Sequence, residues 1–287
     1  MKLYSIPTGY FKLDGGAMFG VVPKQLWSKA VPPDENNLCT WAMRCLLIDT
    51  GQRRILVDTG IGNKQDPKFL SHYHLHGQDT LQTSLQHHGY SPADITDVLL
   101  THLHFDHCGG AIVRNEAGQL VPAFANATYW SNEEHWQWAT QPNAREKASF
   151  LKENILPIAQ TGQLSMVPVP QQGTVPFDDI PGLHIRFAHG HTRAMMLPQI
   201  TYHGQTLVYM ADLLPAAAHI PLPWVMGYDM FPLTTLQEKE AFLTEALAGN
   251  YLLFFEHDAQ QECCRLVQTD KGIRAGQTGS LAQMWQA

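Results

Sequence analysis

No stretch of this 287-residue sequence approaches the roughly 20 consecutive apolar residues that a membrane-spanning helix needs. The opening Met1-Lys2-Leu3-Tyr4-Ser5-Ile6-Pro7 also lacks the apolar core of a secretory signal, so a soluble, cytoplasmic chain that does not engage a membrane is expected. Positive charge is scarce too: 19 Lys and Arg against 26 Asp and Glu leave a net charge of −7, with no basic run. Nucleic acid, whose phosphates ask for basic surface, is therefore not an expected partner. Cysteine is sparse and odd in number, five residues (Cys39, Cys45, Cys108, Cys263, Cys264) without zinc-ribbon spacing, which predicts reduced thiols. Cys108 directly follows His107 and is read as a small buried residue at the base of a loop. Repeats and low-complexity linkers are missing as well. A single domain over residues 1–287 is expected, since this length suffices for one large α/β core.

Histidine, by contrast, is abundant and locally concentrated. Thr101-His102-Leu103-His104-Phe105-Asp106-His107 places three imidazoles and a carboxylate directly after the strand-like Val98-Leu99-Leu100-Thr101. If the chain stays extended past the strand, His102 and His104 project from one face by the period of two and can chelate one ion. Asp106 and His107 then open the next segment, where they can face a second ion, and Gly109-Gly110 permits tight backbone there. Imidazole nitrogen and carboxylate oxygen suit zinc, iron, manganese or cobalt. Three further apolar strands end in candidate ligands. Leu183 to Phe187 leads to His189-Gly190-His191-Thr192, Thr206 to Met210 to Asp212, and Tyr251 to Phe255 to Glu256-His257-Asp258. Of His189 and His191, the Gly-His-Thr context favours His191. Such repetition is what a site built along one sheet edge produces.

In the order Asp58, His102 to His107, His191, Asp212 and His257, the chain resembles the metallo-beta-lactamase superfamily of metallohydrolases over nearly its whole length. The resemblance implies an α/β fold, the αβ/βα four-layer sandwich. It implies that His102, His104 and His191 hold one metal, that Asp106, His107 and His257 hold another, and that Asp212 bridges them. Asp58, in Ile55-Leu56-Val57-Asp58-Thr59-Gly60, matches an aspartate implied to orient the ligand loop without ligating. Two divalent ions are implied, zinc first, with iron, manganese or cobalt as alternatives. The full ligand set departs from the true beta-lactamases of the superfamily, and His104 stands where its flavin-linked di-iron members usually carry Glu, which favours hydrolysis over oxygen reduction.

The rest of the chain is consistent with such a sandwich. Trp41 to Asp49 and Arg54 to Asp58 flank an evident hairpin at Thr50-Gly51-Gln52-Arg53, and Asp79 to His88 has helical spacing. Ser91-Pro92 reads as a turn or helix start, and Ser131-Asn132-Glu133-Glu134 as a capping box opening a short helix. Further helices are predicted over Ala144 to Ile155 and, capped by Thr234 or Thr235, over Leu236 to Leu247. His72-Tyr73-His74-Leu75-His76 could bind metal by itself, but precedes no evident strand and is read as a surface segment.

Two loops bear on substrate. The Pro-broken Leu213 to Asp229 segment follows Asp212 and is stiff without a regular ladder, which suits a pocket wall as well as a helix cover. Asp14-Gly15-Gly16-Ala17-Met18-Phe19-Gly20, with Trp27 after it, reads as an acyl-binding rim. Both segments resemble those of the quorum-quenching N-acyl-homoserine lactonases and the methyl-parathion-hydrolase-like phosphotriesterases of the superfamily. The implied reaction is opening of a lactone ester, N-acyl-homoserine lactones foremost, by a metal-bridging hydroxide. Asp106 is then the candidate proton carrier, Tyr228 or His219 the candidate oxyanion donor, and Met18, Phe19, Trp27 and Trp224 the candidate acyl-chain contacts. A phosphotriesterase or a glyoxalase-II-like thioesterase is the alternative enzyme, and a metal-binding or redox-sensing module the alternative outside hydrolysis. The small-molecule ester or lactone is the expected partner; the apolar loops are compatible with a homodimer, which nothing in the pattern demands.

Overall fold

The computed structural model describes residues 1–285. Its strands run, in chain order, β1 (Lys2–Asp14), β2 (Leu38–Asp49), β3 (Arg54–Val57), β4 (Asp97–Leu99), β5 (Ile112–Arg114), β6 (Leu120–Pro122), β7 (Thr128–Ser131), β8 (Leu164–Met166), β9 (Thr174–Pro176), β10 (Leu183–Ala188), β11 (Met195–Tyr202), β12 (Gln205–Tyr209), β13 (Leu252–Phe254), β14 (Cys263–Thr269) and β15 (Gly272–Gly279). The helices are α1 (Gly15–Phe19), α2 (Lys24–Trp27), α3 (Pro67–Ser71), α4 (Leu81–His87), α5 (Phe105–Cys108), α6 (Glu133–Thr140), α7 (Lys152–Gln160), α8 (Pro232–Ala248) and α9 (Leu281–Met284). Two compact units emerge, one of residues 1–9 and 43–175, the other of residues 10–42 and 176–287. Neither unit is a continuous stretch of chain.

In the first unit the sheet order is β1-β2-β3-β4-β7-β8, with β5 and β6 forming a separate hairpin. The β2–β3 hairpin closes antiparallel at Asp49 and Arg54, whereas β3, β4, β7 and β8 run parallel. Those short central strands, Ile55-Leu56-Val57 and Val98-Leu99, are wholly buried, the near-continuous apolar reading that parallel strands demand. Leu85 of α4, Ala139 of α6 and Ile155 and Ile158 of α7 join Cys45, Leu47, Leu56, Val98 and Tyr129 of the strands in one apolar core. A buried carboxylate, Asp97, pins the start of β4 by accepting from Arg53 Nε and Trp130 Nε1, both at 2.9 Å.

The second sheet has the order β15-β14-β13-β12-β11-β10-β9. Here β12 and β13 are parallel while β10–β11, β11–β12, β13–β14 and β14–β15 are antiparallel, so β10, β12 and β13 all point the same way. Helix α8 packs against β14. Its buried positions, Thr235, Lys239, Phe242, Leu243 and Ala246, follow helical periodicity, with a lysine in mid-stripe.

Three local expectations shift. The helix expected over Ala144 to Ile155 is instead α7, beginning at Lys152. The Asn143 side chain accepts from the Arg145 and Glu146 amides at 2.8 and 3.1 Å, which fixes a turn where helix was read. Helix α8 starts at Pro232, ahead of the expected Thr234 or Thr235 cap, because proline is pre-set for the first helical turn. The Gly-rich segment after Asp14 is the short helix α1, capped by the Asp14 carboxylate. No helix among the described residues is long and apolar enough to cross a membrane.

Candidate metal centre

Parallel strands deliver their following loops to the same sheet edge, and this places the ligand candidates of each unit. In the first unit β3 ends into Asp58 and β4 into Thr101–His107. Asp58 sits in the left-handed region (φ 58°), a conformation that costs a non-glycine residue about 1–2 kcal/mol. The compensation is that its carboxylate reaches the β4 loop: Oδ1 accepts from the Thr101 amide at 2.8 Å and Oδ2 from the Thr101 hydroxyl at 2.7 Å. The Thr59 amide and hydroxyl both donate to the His107 carbonyl, at 2.8 and 2.9 Å. Buried His135, whose Nε2 accepts from the Leu103 amide at 2.8 Å, holds the loop from the other side. Gly109 and Gly110 lie so close to the Ile61 and Thr59 backbone that a Cβ at either would collide with a carbonyl.

The histidine tautomers follow from these neighbours. Thr101 gives its hydroxyl proton to Asp58, so the 3.1 Å contact from the same oxygen to His102 Nδ1 requires the proton on Nδ1. His107 Nδ1 lies 3.1 Å from Asp58 Oδ2, and His104 Nε2 lies 3.4 Å from the buried carboxylate of Glu146. The outer nitrogens of His102 and His107 thus meet an acceptor and that of His104 faces a carboxylate, while the inner nitrogens, His102 Nε2 and His104 Nδ1, approach one another to 3.0 Å. Two buried imidazole nitrogens that converge to this distance, each ring backed by oxygen on its other side, are a donor set that fits a metal ion.

The second unit repeats the device. Strands β10, β12 and β13 lead to His191, Asp212 and His257. His191 Nδ1 meets Asp229 Oδ1 at 2.9 Å and its Nε2 meets Asp212 Oδ2 at 3.0 Å. His257 Nδ1 donates to the Ala42 carbonyl at 2.8 Å, and its Nε2 lies 3.3 Å from Asp212 Oδ1. Burial alone would push the His191 imidazolium down, but the Asp212 and Asp229 carboxylates outweigh it and hold its pKa up to about 10. Ala211, just before Asp212, is also left-handed (φ 40°). At Gly190 a Cβ would run into the Thr235 backbone of α8, and the Glu238 carboxylate accepts from the His189 and Gly190 amides at 2.6 and 3.0 Å. His191 is thereby held against the helix, while His189 is only half-buried.

The remaining candidates divide. His219 is buried and stacks on Phe19, centroids 4.7 Å apart and planes within 3°, and its Nε2 donates to the Met18 carbonyl at 2.9 Å. Burial pushes its pKa down to about 3, so it is neutral, and with its one N–H given to Met18 it is not arranged as the oxyanion donor expected of it. Met18, Phe19 and Trp27, expected as rim, are at most 2% exposed: Phe19 stacks on Trp27 at 5.2 Å and meets Trp224 edge-on at 5.7 Å. Phe19 thus backs Trp224, which is half-buried, while Tyr228 is exposed. Asp106 is buried at the start of α5. His72, His74 and His76 lie on the surface, and Cys108 is a buried thiol whose pKa burial pushes up to about 12. Glu146 and Asp229 were missed by sequence reasoning. Asp229 closes the proline-rich loop without a motif around it, and Glu146 falls where a helix was expected.

The family model of the metallo-beta-lactamase superfamily matches residues 44–257, which takes in both groups of ligand candidates. An N-acyl homoserine lactonase from Bacillus cereus is 26% identical over 276 residues, covering 91% of this chain and 94% of that protein. Among solved structures, a probable metal-dependent hydrolase from Staphylococcus aureus is 30% identical with a TM-score of 0.85, covering 96% of this chain and 95% of its own. AidC, a dizinc quorum-quenching lactonase solved with a product, N-hexanoyl-L-homoserine, shares the fold at 20% identity and a TM-score of 0.76, covering 96% and 93%. The chain therefore belongs to the metallo-beta-lactamase superfamily and has its α/β sandwich fold. It is a hydrolase of that superfamily, and its His and Asp clusters support a divalent metal cofactor.

Proposed function

We propose that this protein is a two-metal lactonase that opens the ester ring of N-acyl-homoserine lactones. The observation that carries the metal chemistry is the convergence of buried donors within each unit, His102 Nε2 on His104 Nδ1 at 3.0 Å in one, and His191 Nε2 and His257 Nε2 on Asp212 at 3.0 and 3.3 Å in the other. The similarity over nine-tenths of the chain to named lactonases supports the substrate class. On this reading His102, His104 and His191 would hold one ion, Asp106, His107 and His257 would hold the other, and Asp212 would offer an oxygen to each. Zinc suits these nitrogen and oxygen donors best. Two ions held in this way supply Lewis acidity and a water that ionises near neutral pH.

The chain's own groups then have defined tasks. Asp58, by gripping Thr101 and His107, fixes the aim of the ligand loop. The Asp106 carboxylate takes the proton of the attacking water and returns it to the departing alkoxide. The exposed Tyr228 hydroxyl donates to the oxygen on which charge develops, and the indole of Trp224 covers the acyl chain.

The test is turnover by protein of measured metal content on acyl-homoserine lactones, a phosphotriester and a glutathione thioester side by side. Two metals per chain and a lactone kcat/KM of about 10⁴ M⁻¹ s⁻¹ or more, well above the other two, is the expected result. A higher kcat/KM on the phosphotriester or thioester would move the substrate assignment there.

A further inference from the structure

Helix α8 buries one residue that its apolar stripe does not call for. Lys239 is 1% exposed, between Thr235 on one turn and Phe242 and Leu243 on the next, where leucine or methionine would bury at no electrostatic cost. Its ammonium is not idle. Nζ donates to the carbonyls of Pro221 at 3.2 Å, Leu222 at 3.3 Å and Trp224 at 2.7 Å, three donors on three acceptors. Burial pushes its pKa down to about 7, the Asp229 charge pulls it the other way, and three carbonyl dipoles favour the charged form.

The segment it grips explains the need. Pro221 and Pro223 bring no N–H and forbid a sheet ladder; the Trp224 and Val225 amides donate back to the Pro221 and Pro223 carbonyls at 2.9 and 3.1 Å, and Lys239 adds donors to the carbonyls of Pro221, Leu222 and Trp224. The ends of the loop are fixed at His191: Asp212, which precedes the loop, meets its Nε2 at 3.0 Å, and Asp229, at the loop's close, accepts from its Nδ1 at 2.9 Å. The Asp258 carboxylate accepts from the Ala217 amide at 2.9 Å, and the Gly227 amide donates to the Ala17 carbonyl at 2.8 Å. Between those anchors the stretch that carries Trp224 is tied down by Lys239, whose shortest bond is to the Trp224 carbonyl itself.

We propose that Lys239 is a positioning residue that sets the place of Trp224 and thereby the acyl-chain selectivity of the site. The selectivity part rests on the lactonase reading above. The positioning part does not, and the two are tested separately.

Lys239→Met keeps the helix and roughly the side-chain volume while removing the charge and the donors. Hydrogen exchange of the metal-loaded variant is expected to speed up by about tenfold or more across residues 216–228, with β12 and β13 unchanged. Bound metal per chain stays at the parental level. On lactones of increasing chain length, KM rises by about tenfold for the preferred substrate, kcat changes far less, and the preference among chain lengths flattens. Lys239→Arg, which can still reach carbonyls, recovers part of both effects. Exchange at the parental rate in Lys239→Met overturns the positioning role, and so does metal loss without faster loop exchange. Should Lys239→Met fail to fold, Trp224→Ala, on the half-buried loop, carries the decision on selectivity: an unaltered chain-length preference overturns it. A parent that turns over no lactone overturns the lactonase reading and the selectivity claim together, and leaves the exchange result to decide the positioning role.

Discussion

Glu146 and Asp229 stand behind a histidine in two places: Asp229 accepts from His191 Nδ1 at 2.9 Å, and Glu146 faces His104 Nε2 at 3.4 Å, so that each ring turns its other nitrogen inward. Glu146 is itself positioned, its second oxygen accepting from Trp138 Nε1 at 2.6 Å and Asn143 Nδ2 at 2.8 Å, so its place does not depend on the imidazole. Removing such a partner frees the tautomer and the ring torsion, which typically costs about 10–100-fold in metal affinity. Glu146→Ala and Asp229→Ala are each expected to bind zinc that much more weakly in competition with a chelating dye, while Glu146→Gln, whose amide oxygen still accepts, recovers part of the loss. Affinity unchanged in both alanine variants would remove the carboxylates from the metal centre. The ligand candidates were readable in the sequence because imidazole and carboxylate after a strand carry their chemistry with them. Their partners were not: Glu146 is one of 26 acidic residues, and only the turn at Asn143 brings it to His104.

At the scale of the element, what was legible was whatever the backbone period dictates. The hairpin at Thr50 to Arg53, the helix after Thr80 and the strands before each ligand all stand within a few residues of their expected places, since alternation, turn residues and caps are local signals. The error at Ala144 came from a side chain overriding propensity, and the missed role of α8 from contacts remote in sequence. That helix organises a loop with each of two neighbouring residues, Glu238 on the His189–Gly190 amides and Lys239 on the proline-rich segment. Gly190 makes the close approach possible. Gly190→Ala is accordingly expected to cost about 1–3 kcal/mol of stability and to weaken metal binding by displacing His191. Gly204→Ala, at a surface turn with φ +78° where an added Cβ meets nothing within 4 Å, carries only the left-handed cost of about 1–2 kcal/mol and should leave metal binding alone. Equal metal affinity in the two variants would show that the Gly190 contact does not set the aim of His191.

For the whole molecule, the proposed ligands run from residue 102 to residue 257 in sequence, and the structure's two compact units are each discontinuous in the chain. That interleaving was invisible in the sequence, where no linker or compositional shift marks it and where one domain was the natural expectation. Such a chain, if its metals draw ligands from so many separate loops, has no preformed site once unfolded, so the free energy of metal binding is available to the folded state alone. At free metal about a thousand times the dissociation constant this amounts to about 4 kcal/mol. Since about 1 kcal/mol moves the midpoint of a chain this large by roughly 2–4 °C, stripping the metal should lower Tm on the order of 10 °C. Restoring zinc should restore the Tm, and Asp212→Ala, which removes the oxygens that face Nε2 of both His191 and His257, should abolish most of the difference between stripped and loaded protein. Scanning calorimetry of the four samples decides the matter. A stripped parent that melts at the loaded temperature would mean that the clusters are held by protein contacts alone, and that the metal, however much it serves the chemistry, contributes little to the stability of the fold.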